Sequence, residues 1–286
     1  MPRVSVLMPV YNTQPEQLRE AIDSILAQTF GDFEFLILND CSTDPQVEEV
    51  VKSYSDPRIV YAVNERNLGI SGARNRLLDM AKGEYLAVMD HDDISLPERF
   101  EKQVAFLDAH PEVGVLNTQF GTVGKEKTSN IAMDDITITK ALMMHCGDMC
   151  HPSCMLRRSV LEEHGIRYEE MFSPSEDHAL FCRLIPHTKF AALPDVLFMY
   201  RAWQGNTSHK QAKKMEAATQ GVLSFARREN PELWTMAQTH IVRTRRYRLF
   251  ELVVLTKEQT WRETRWKLFG LLPVWRVKEA LPKFMR

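Results

Sequence analysis

Residues 4–12 are Val-Ser-Val-Leu-Met-Pro-Val-Tyr-Asn, an apolar run with β-branched residues that ends in polar ones. Such a run predicts a buried strand. Pro15, which suits the first turn of a helix, follows closely, and Leu18, Ile22 and Ile25 then recur on one helical face. The chain is therefore expected to begin with a buried strand and an amphipathic helix that packs on it.

The same order of strand and helix repeats through the first 120 residues. Strands are predicted at 33–38, 59–63, 85–89 and 113–120, with helical patterns between them. Strands that alternate with helices of about 10–15 residues indicate βαβ units. We therefore predict an α/β fold with a mostly parallel sheet flanked by helices.

Polar clusters follow three of these strands, namely Tyr11-Asn12, Asn39-Asp40 and Asp90-His91-Asp92-Asp93. In a parallel sheet they would converge on the edge where ligands bind. Three carboxylates in four residues repel one another unless a cation is present, and oxygen ligands suit Mg²⁺ or Mn²⁺ together with a nucleotide diphosphate. The alternative is that some of these aspartates only cap the next helix.

Charge divides the chain into two parts. Residues 1–209 carry 19 Lys and Arg against 31 Asp and Glu, and residues 210–286 carry 17 against 7. The strand pattern also stops near residue 209. These changes predict an α/β domain at 1–209 and a helical, basic C-terminal region at 210–286. The net charge of −2 makes nucleic acid an unexpected partner.

Cellular location is predicted from cysteines and apolar runs. The chain has 5 cysteines, an odd number, and 286 residues are enough to build a core without disulfides, so a reducing compartment is favoured. The first residues lack a signal-peptide pattern, and no apolar run approaches the roughly 20 residues of a membrane span. We expect a cytoplasmic protein, with peripheral attachment to the inner face of the membrane as an added possibility.

A cluster of His, Cys and Asp residues invites a metal-site interpretation, but its spacing does not match that of zinc sites, and Pro152 interrupts any helix that would align the cysteines. Small residues of a buried core are the favoured interpretation. The cluster consists of His145, Cys146, Asp148, Cys150, His151 and Cys154.

A set of ordered motifs resembles family 2 glycosyltransferases. The resemblance covers about residues 4–120 and 151–208. It implies a GT-A type, Rossmann-like sheet and the inverting transfer of a sugar from a nucleotide-diphosphate donor, with UDP-sugar the expected donor. The implied acceptor is a hydroxyl of a glycan or lipid-linked molecule in surface polysaccharide synthesis. The motifs lie at 4–12, 24–30, 39–44, 67–69, 73–75, 83–85, 90–93, 151–153, 175–177, 200–201 and 206–208.

The resemblance also assigns residues to the donor. Pro9, Tyr11, Asn39, Arg74 and Asp90 match positions that bind the nucleotide. Tyr11 would supply an aromatic ring for stacking, and an Asn amide can accept a hydrogen bond from a pyrimidine N–H. Arg74 is alternatively an exposed helix arginine. At Asn39 the family usually has Asp, which leaves the choice of base less certain.

Further matches concern the diphosphate and the metal. Arg201 and Ser208 match diphosphate-binding positions, and Arg suits bidentate phosphate contacts. Asp92 matches a ligand of Mn²⁺ or Mg²⁺, and His209 is a weaker candidate ligand that is alternatively an ordinary helix-start histidine. Cys41 stands where the family usually has Gly, so the turn around it is expected to differ.

The resemblance places catalysis at Asp177, as the base that takes a proton from the acceptor hydroxyl, with Glu176 beside it. The alternative is a helix N-terminus that is rich in acids. A metal-dependent nucleotidyltransferase or nucleotide-sugar hydrolase is the rival enzyme class, and a non-enzymatic membrane scaffold is a third hypothesis.

The basic tail at 243–286 mixes Trp and Leu with Arg and Lys. This composition fits short amphipathic helices on an anionic membrane. It fits equally a helical cap that packs on the catalytic domain or on a second copy of the chain in a homo-oligomer.

Overall fold

The structure, a computed structural model, describes residues 1–145, 149–203, 206, 210–239, 241–249, 252–260, 263–268 and 272–278. Its first part is the predicted succession of strands and helices. The strands are β1 (Val4–Val10), β2 (Phe33–Asn39), β3 (Ile59–Val63) and β4 (Tyr85–Val88). The helices between them are α1 (Pro15–Leu26), α2 (Gln46–Lys52) and α3 (Gly69–Met80).

The part that follows mixes short strands with helices. The strands are β5 (Ile94–Ser95), β6 (Val113–Thr122), β7 (Lys125–Thr128), β8 (Met155–Arg157) and β9 (Lys189–Tyr200). The helices are α4 (Arg99–Ala109), α5 (Asp135–Met144), α6 (Arg158–Glu163) and α7 (Glu176–Leu184), with 3₁₀ turns at His151–Ser153 and Glu170–Phe172.

These nine strands form one sheet in the order β3-β2-β1-β4-β8-β6-β9-β5, with β7 paired to β6. The pairs β3-β2, β2-β1, β1-β4 and β6-β9 are parallel. β8 is antiparallel to both β4 and β6, so β6 runs in the same direction as β4. The carboxyl ends of β1, β2, β4, β6 and β9 therefore lie at one edge. The predicted α/β class with a mostly parallel sheet is confirmed.

Both faces of the sheet are covered by helices. On one face Val6 and Met8 of β1 join the apolar residues of α1, α2 and α4. On the other face Leu7 joins those of α3, α5 and α7. Because successive side chains of a strand point to opposite faces, a strand buried on both sides needs an unbroken apolar run. This requirement explains why β1 could be predicted from residues 4–12.

Gly83, just before β4, lies against the backbone of β1, and its N–H donates to Ser5 Oγ at 2.8 Å. A Cβ at position 83 would lie 2.6 Å from the Ser5 nitrogen and 2.7 Å from the Val4 carbonyl carbon. We expect Gly83→Ala to destabilise the fold by about 1–3 kcal/mol in urea unfolding, because backbone cannot move aside cheaply. Gly31→Ala is the matched control, since nothing lies within 4 Å of its Cβ. Equal unfolding midpoints for the two variants would contradict this packing.

The C-terminal region is helical only in part. Helices α8 (Ala212–Glu229) and α9 (Pro231–Thr239) share a buried cluster with residues of α5 and α7, including Met143 and Cys182. Four antiparallel strands follow in the order β10-β11-β12-β13. Their bounds are β10 (Ile241–Leu249), β11 (Leu252–Thr260), β12 (Glu263–Leu268) and β13 (Leu272–Lys278).

The prediction of helix is therefore right for 212–239 and wrong for 241–278. The physical reason is composition: β11 alone contains two Val and two Thr, and β-branched and aromatic residues favour strands over helices. The amphipathic-helix geometry expected of the tail is not adopted there. Among the helices of the described residues, none has the length and apolar character that crossing a bilayer requires.

Candidate active site

The loops after β1 and β2 are joined through Asn12. Its Oδ1 accepts a hydrogen bond from the Thr43 N–H at 2.9 Å, and its own N–H donates to Ser42 Oγ at 3.0 Å. Asn12 has φ 49° and Cys41 has φ 59°, a region that favours glycine. The turn thus keeps the left-handed backbone although Cys41 replaces the usual Gly. Both strand ends are held as one rigid surface.

The residues predicted to bind the base lie at this surface. Pro9 is buried within β1, whereas Tyr11 comes directly after the strand and is 45% exposed, which leaves its ring accessible for stacking. Asn39 is buried, donates from Nδ2 to Tyr61 Oη at 3.0 Å, and accepts at Oδ1 from the Ser42 N–H at 2.8 Å. The amide of Asn39 therefore already holds the turn in place.

Asp40 holds a third loop, a role that the sequence did not reveal. It is 4% exposed, and its Oδ1 accepts hydrogen bonds from the Asn64 side chain and, at 2.9 Å, from the Leu68 N–H. These contacts fix the loop that leads into α3. The sequence signal that could have identified Asp40 was its position directly after Asn39, in a polar cluster that follows a strand.

Arg74, on α3, joins two of the predicted site elements. Its Nη1 donates to Glu176 Oε1 at 2.7 Å and its Nη2 donates to Asp90 Oδ1 at 3.1 Å. Its guanidinium carbon also lies 5.5 Å from the centre of the Tyr168 ring. Burial opposes the positive charge, but the carboxylates of Asp90 and Glu176 outweigh it and raise the pKa of Arg74. One buried guanidinium thus joins the loop after β4 to the start of α7.

The acids after β4 are crowded. Asp93 is 1% exposed; its Oδ1 accepts from the Arg201 N–H at 2.7 Å, while its Oδ2 has no hydrogen-bond partner among the described residues. Burial, reinforced by the charges of Asp90 and Asp92, raises the pKa of Asp93 well above its ordinary value. Crowding of this kind is what a cation at the loop would relieve.

The segment after β9 contacts the same loop. Arg201 Nε donates to the Asp92 carbonyl at 2.7 Å, and its guanidinium pairs with Glu20. Trp203 Nε1 donates to Asp92 Oδ2 at 2.9 Å. Trp203 was missed from the sequence because no local pattern relates it to an aspartate 111 positions away. Two predicted residues, Ser208 and His209, lie outside the described residues.

The chemistry of this loop fits the metal that the resemblance implies. No group of three or more His, Cys, Asp or Glu side chains that could hold an ion by itself occurs in the described part of the chain. Mg²⁺ and Mn²⁺, however, commonly take one or two carboxylates and complete their shell with substrate phosphates and water. Asp92, with Asp90 nearby, offers such a donor set for an ion that binds together with a nucleotide diphosphate.

Asp177 stands in the first turn of α7, where it is half-buried and accepts the His178 N–H at Oδ1 over 2.7 Å. Burial raises its pKa, and the positive charge of Arg74 partly offsets the rise. Glu176 is 4% exposed, and burial likewise raises its pKa. Two neighbouring carboxyl groups of raised pKa are typical of proton-transfer sites.

The start of α7 is anchored from two sides. His178 Nε2 is hydrogen-bonded to the Leu142 carbonyl at 2.8 Å. Ser175 occupies the N-cap position, but its hydroxyl is 2.9 Å from Thr219 Oγ1 on α8 and does not cap the helix. The acid-rich helix N-terminus of the alternative interpretation is present, with Glu176 and Asp177 in the first turn of α7.

Four members of the predicted His, Cys and Asp cluster, His145, Cys150, His151 and Cys154, are buried, and the other two, Cys146 and Asp148, lie outside the described residues. His151 Nε2 is 2.8 Å from Tyr168 Oη, and burial holds the pKa of His151 well below its ordinary value. Cys154 Sγ accepts from Asn117 Nδ2 at 3.0 Å. Tyr168 in turn lies under Arg74, so this buried network supports the ion pairs of the site.

Comparison with known proteins agrees with this geometry. The model of the family described as glycosyl transferase family 2 matches residues 5–165. A Methanocaldococcus jannaschii protein called an uncharacterized glycosyltransferase is 34% identical over 70% of this chain and 71% of its own. An Erwinia amylovora amylovoran biosynthesis glycosyltransferase is 30% identical over 69% of this chain and 76% of its own.

Solved structures share the fold. Staphylococcus aureus TarS, residues 1–349, in complex with UDP-GlcNAc has a TM-score of 0.62 and 20% identity, over 83% of this chain and 80% of that chain. A Pyrobaculum calidifontis mannosyltransferase in complex with GDP-Man and Mn²⁺ has a TM-score of 0.58 and 16% identity, over 82% of this chain and 73% of that chain. Both have the GT-A glycosyltransferase fold that the sheet order indicates. With a family model that covers more than half of its length, the chain belongs to glycosyl transferase family 2.

Proposed function

We propose that the chain is an inverting glycosyltransferase that moves a sugar from a nucleotide-diphosphate donor to a hydroxyl of a glycan or lipid-linked acceptor in surface polysaccharide synthesis. The observation that carries this proposal is the contact of Arg74 with both Asp90 and Glu176. It joins Asp90, which is expected to face the donor, to Glu176, the chain neighbour of the proposed base. A nucleotidyltransferase has no need of a base beside the anomeric carbon, whereas a nucleotide-sugar hydrolase could use such a base on water and is distinguished by its product.

In this mechanism Asp177 takes the proton of the acceptor hydroxyl as its oxygen attacks the anomeric carbon from the face opposite the leaving diphosphate. Burial makes the Asp177 carboxylate a stronger base than an exposed one, because it raises the pKa of the group. Glu176, held by Arg74, is placed to orient the acceptor. A divalent cation bound with the donor would supply Lewis-acid stabilisation of the leaving diphosphate.

For the donor we propose a UDP-sugar, a hexose or an N-acetylhexosamine. Tyr11 would stack on the base, and Asp90, whose side chain is 30% exposed, would meet the ribose. The support from relatives is that TarS is solved with UDP-GlcNAc, and that an Escherichia coli relative, 28% identical over 80% of this chain, is named as a UDP-Glc-dependent glucosyltransferase. Arg201 and Ser208 remain the proposed diphosphate contacts, with Asp92 and His209 proposed for the metal.

A thermal-shift panel of nucleotide sugars, with and without Mn²⁺, tests the donor. At a ligand concentration about 100 times Kd, binding stabilises the folded state by about 2.7 kcal/mol, which raises Tm by about 5–10 °C. We expect the largest rise for a UDP-sugar and only with Mn²⁺ present. In Asp92→Asn that rise should disappear. No metal-dependent rise with any nucleotide sugar would count against the proposal.

We propose that residues 1–209 carry catalysis and that the basic region at 210–286 contacts an anionic membrane surface or a second copy of the chain. A cytoplasmic protein at the inner face of the membrane would meet both a nucleotide sugar and a lipid-linked acceptor. Binding of the full chain to vesicles with and without anionic lipid separates the two partners. Product analysis separates transfer from the rival hydrolysis, since only transfer yields a new glycosidic bond.

A further inference from the structure

An open cleft of about 600 Å³ lies where β6 ends, against the hairpin formed by β6 and β7. Phe120, Ile131 and Met149 give it an apolar side. Lys127 and Asn130 are among the polar residues that line it. The volume lies in the range of sites that bind small molecules, and convergent polar groups on an apolar wall are typical of such sites.

Strand register places this cleft beside the acid loop. Gly121 of β6 pairs with Met199 of β9, and Met199 also pairs with Ile94 of β5, the residue after Asp93. Two strand spacings, about 10 Å, therefore separate Gly121 from Ile94. Because β4 and β6 run in the same direction, the cleft opens at the sheet edge that holds the candidate active site.

The polar groups of the cleft are free to bind a ligand. Among the described residues no ion pair involves Lys127, and no hydrogen bond involves the side chain of Asn130. The Ser129 hydroxyl, in contrast, is already used, since it donates to Gln119 Oε1 at 2.8 Å. Lys127 therefore offers the cleft an ammonium group that has no ion-pair partner in the described part of the chain.

An apolar wall with an aromatic ring and an amide suits the two faces of a sugar ring, and an ammonium group adds an attraction for an anion. We propose that this cleft is an acceptor subsite for a sugar residue that carries a carboxylate or a phosphate group, next to the residue that is glycosylated. The inference rests on the proposed function and names the chemistry of its acceptor. Lys127 would bind the anion and Asn130 a ring hydroxyl.

Ligand-observed NMR on the full chain tests this subsite with three probes: glucuronic acid, glucose 6-phosphate and glucose. We expect one or both charged sugars to bind more tightly than glucose. Lys127→Gln should weaken that binding by about tenfold or more, which is the effect of losing one charge-assisted hydrogen bond. Lys127→Arg should largely restore it. Lys125→Gln is the matched control, since it removes an equal charge from the same strand but not from the cleft lining.

Tighter binding of glucuronic acid would identify a carboxylate, and tighter binding of glucose 6-phosphate a phosphate; either result supports the subsite. Equal losses in the two Gln variants, or glucose binding as tightly as the charged sugars, would overturn it. UDP binding in the presence of Mn²⁺ is measured on the same samples. If UDP binds but no probe does, the subsite is wrong and the glycosyltransferase proposal stands. If UDP does not bind, the proposed donor site is wrong, and the proposed function is contradicted.

Discussion

Asp177→Asn is expected to lower the rate of sugar transfer by about 10²- to 10⁴-fold, the usual contribution of a general base. The Asn side chain has the same shape, and its carbonyl oxygen can still accept the His178 N–H that Asp177 accepts at 2.7 Å. The start of α7 should therefore remain folded. What is lost is the only carboxylate proposed to take the acceptor proton. Transfer is measured as formation of the glycosidic product, with the donor identified by the thermal-shift panel.

Donor binding separates this catalytic role from a structural one. The dissociation constant of UDP with Mn²⁺ should stay within about twofold in Asp177→Asn, because Asp177 is not among the proposed nucleotide contacts. Glu169→Gln is the matched control: Glu169 forms an ion pair at 2.9 Å with Arg183 of α7 and is not one of the ion-pair partners of Arg74. Transfer at the normal rate by Asp177→Asn, or an equal loss in the control, would remove Asp177 from the mechanism.

The pH profile offers a second view of the same residue. The base must be ionised to work, and burial raises the pKa of Asp177. The acidic limb of kcat/KM should therefore lie above about 3.9, the ordinary value of an aspartate. A limb at or below that value would indicate a base in a more exposed or more strongly paired position.

The central strands could be predicted from the sequence because they are buried on both sides. The predicted β1 to β4 end within one residue of the observed strands, and β1, β2 and β4 are followed by the polar clusters of the site. The first residues of the helices were harder to predict from the sequence. Ser71 is of a residue type that favours helix N-caps, but α3 begins at Gly69 and Ser71 is buried inside it. The turn at Asn67-Leu68-Gly69, with φ 71° at Gly69, decides where this helix begins.

Partners distant in the chain could not be predicted. Local pattern placed Arg74 on a helix and Glu176 at a helix start, but nothing in either segment indicates that they pair across 102 residues. The same holds for Trp203 and Asp92. In the tail only helices were predicted, but short runs of Val, Thr and Trp among charged residues also suit strands, which the structure forms there. The sequence pattern predicts which edge of the sheet carries the polar clusters. Only the fold determines which charged residues meet there.

Arg74→Met is expected to be the most destabilising change of a single charge at the site, by about 3–5 kcal/mol at neutral pH. Removing one partner of a buried ion pair leaves the other charge unpaired in a low-dielectric environment. Here two carboxylates lose the same guanidinium, since Arg74 donates to Glu176 at 2.7 Å and to Asp90 at 3.1 Å. The free energy of unfolding, measured in urea, should show this loss. Arg76→Met, on the same helix, is the control, because Arg76 donates only to the neutral groups of Asn64 and Val63.

Lower pH should reduce the loss of unfolding free energy that Arg74→Met causes. Burial already raises the pKa of Glu176, and Arg74 holds that pKa down, so the pKa rises further in the Met variant. Between the pKa of Glu176 in the unfolded chain and its higher pKa in the folded variant, the folded variant binds more protons than the unfolded chain. Its free energy of unfolding therefore falls as pH rises through that window. We therefore expect the deficit against the unmodified chain to be larger at pH 7.5 than at pH 5. The acidic limb of kcat/KM should also move to higher pH, because the pKa of Asp177 loses the same positive neighbour. A deficit that is independent of pH, as expected for Arg76→Met, would mean that Arg74 acts through packing and not through its charge.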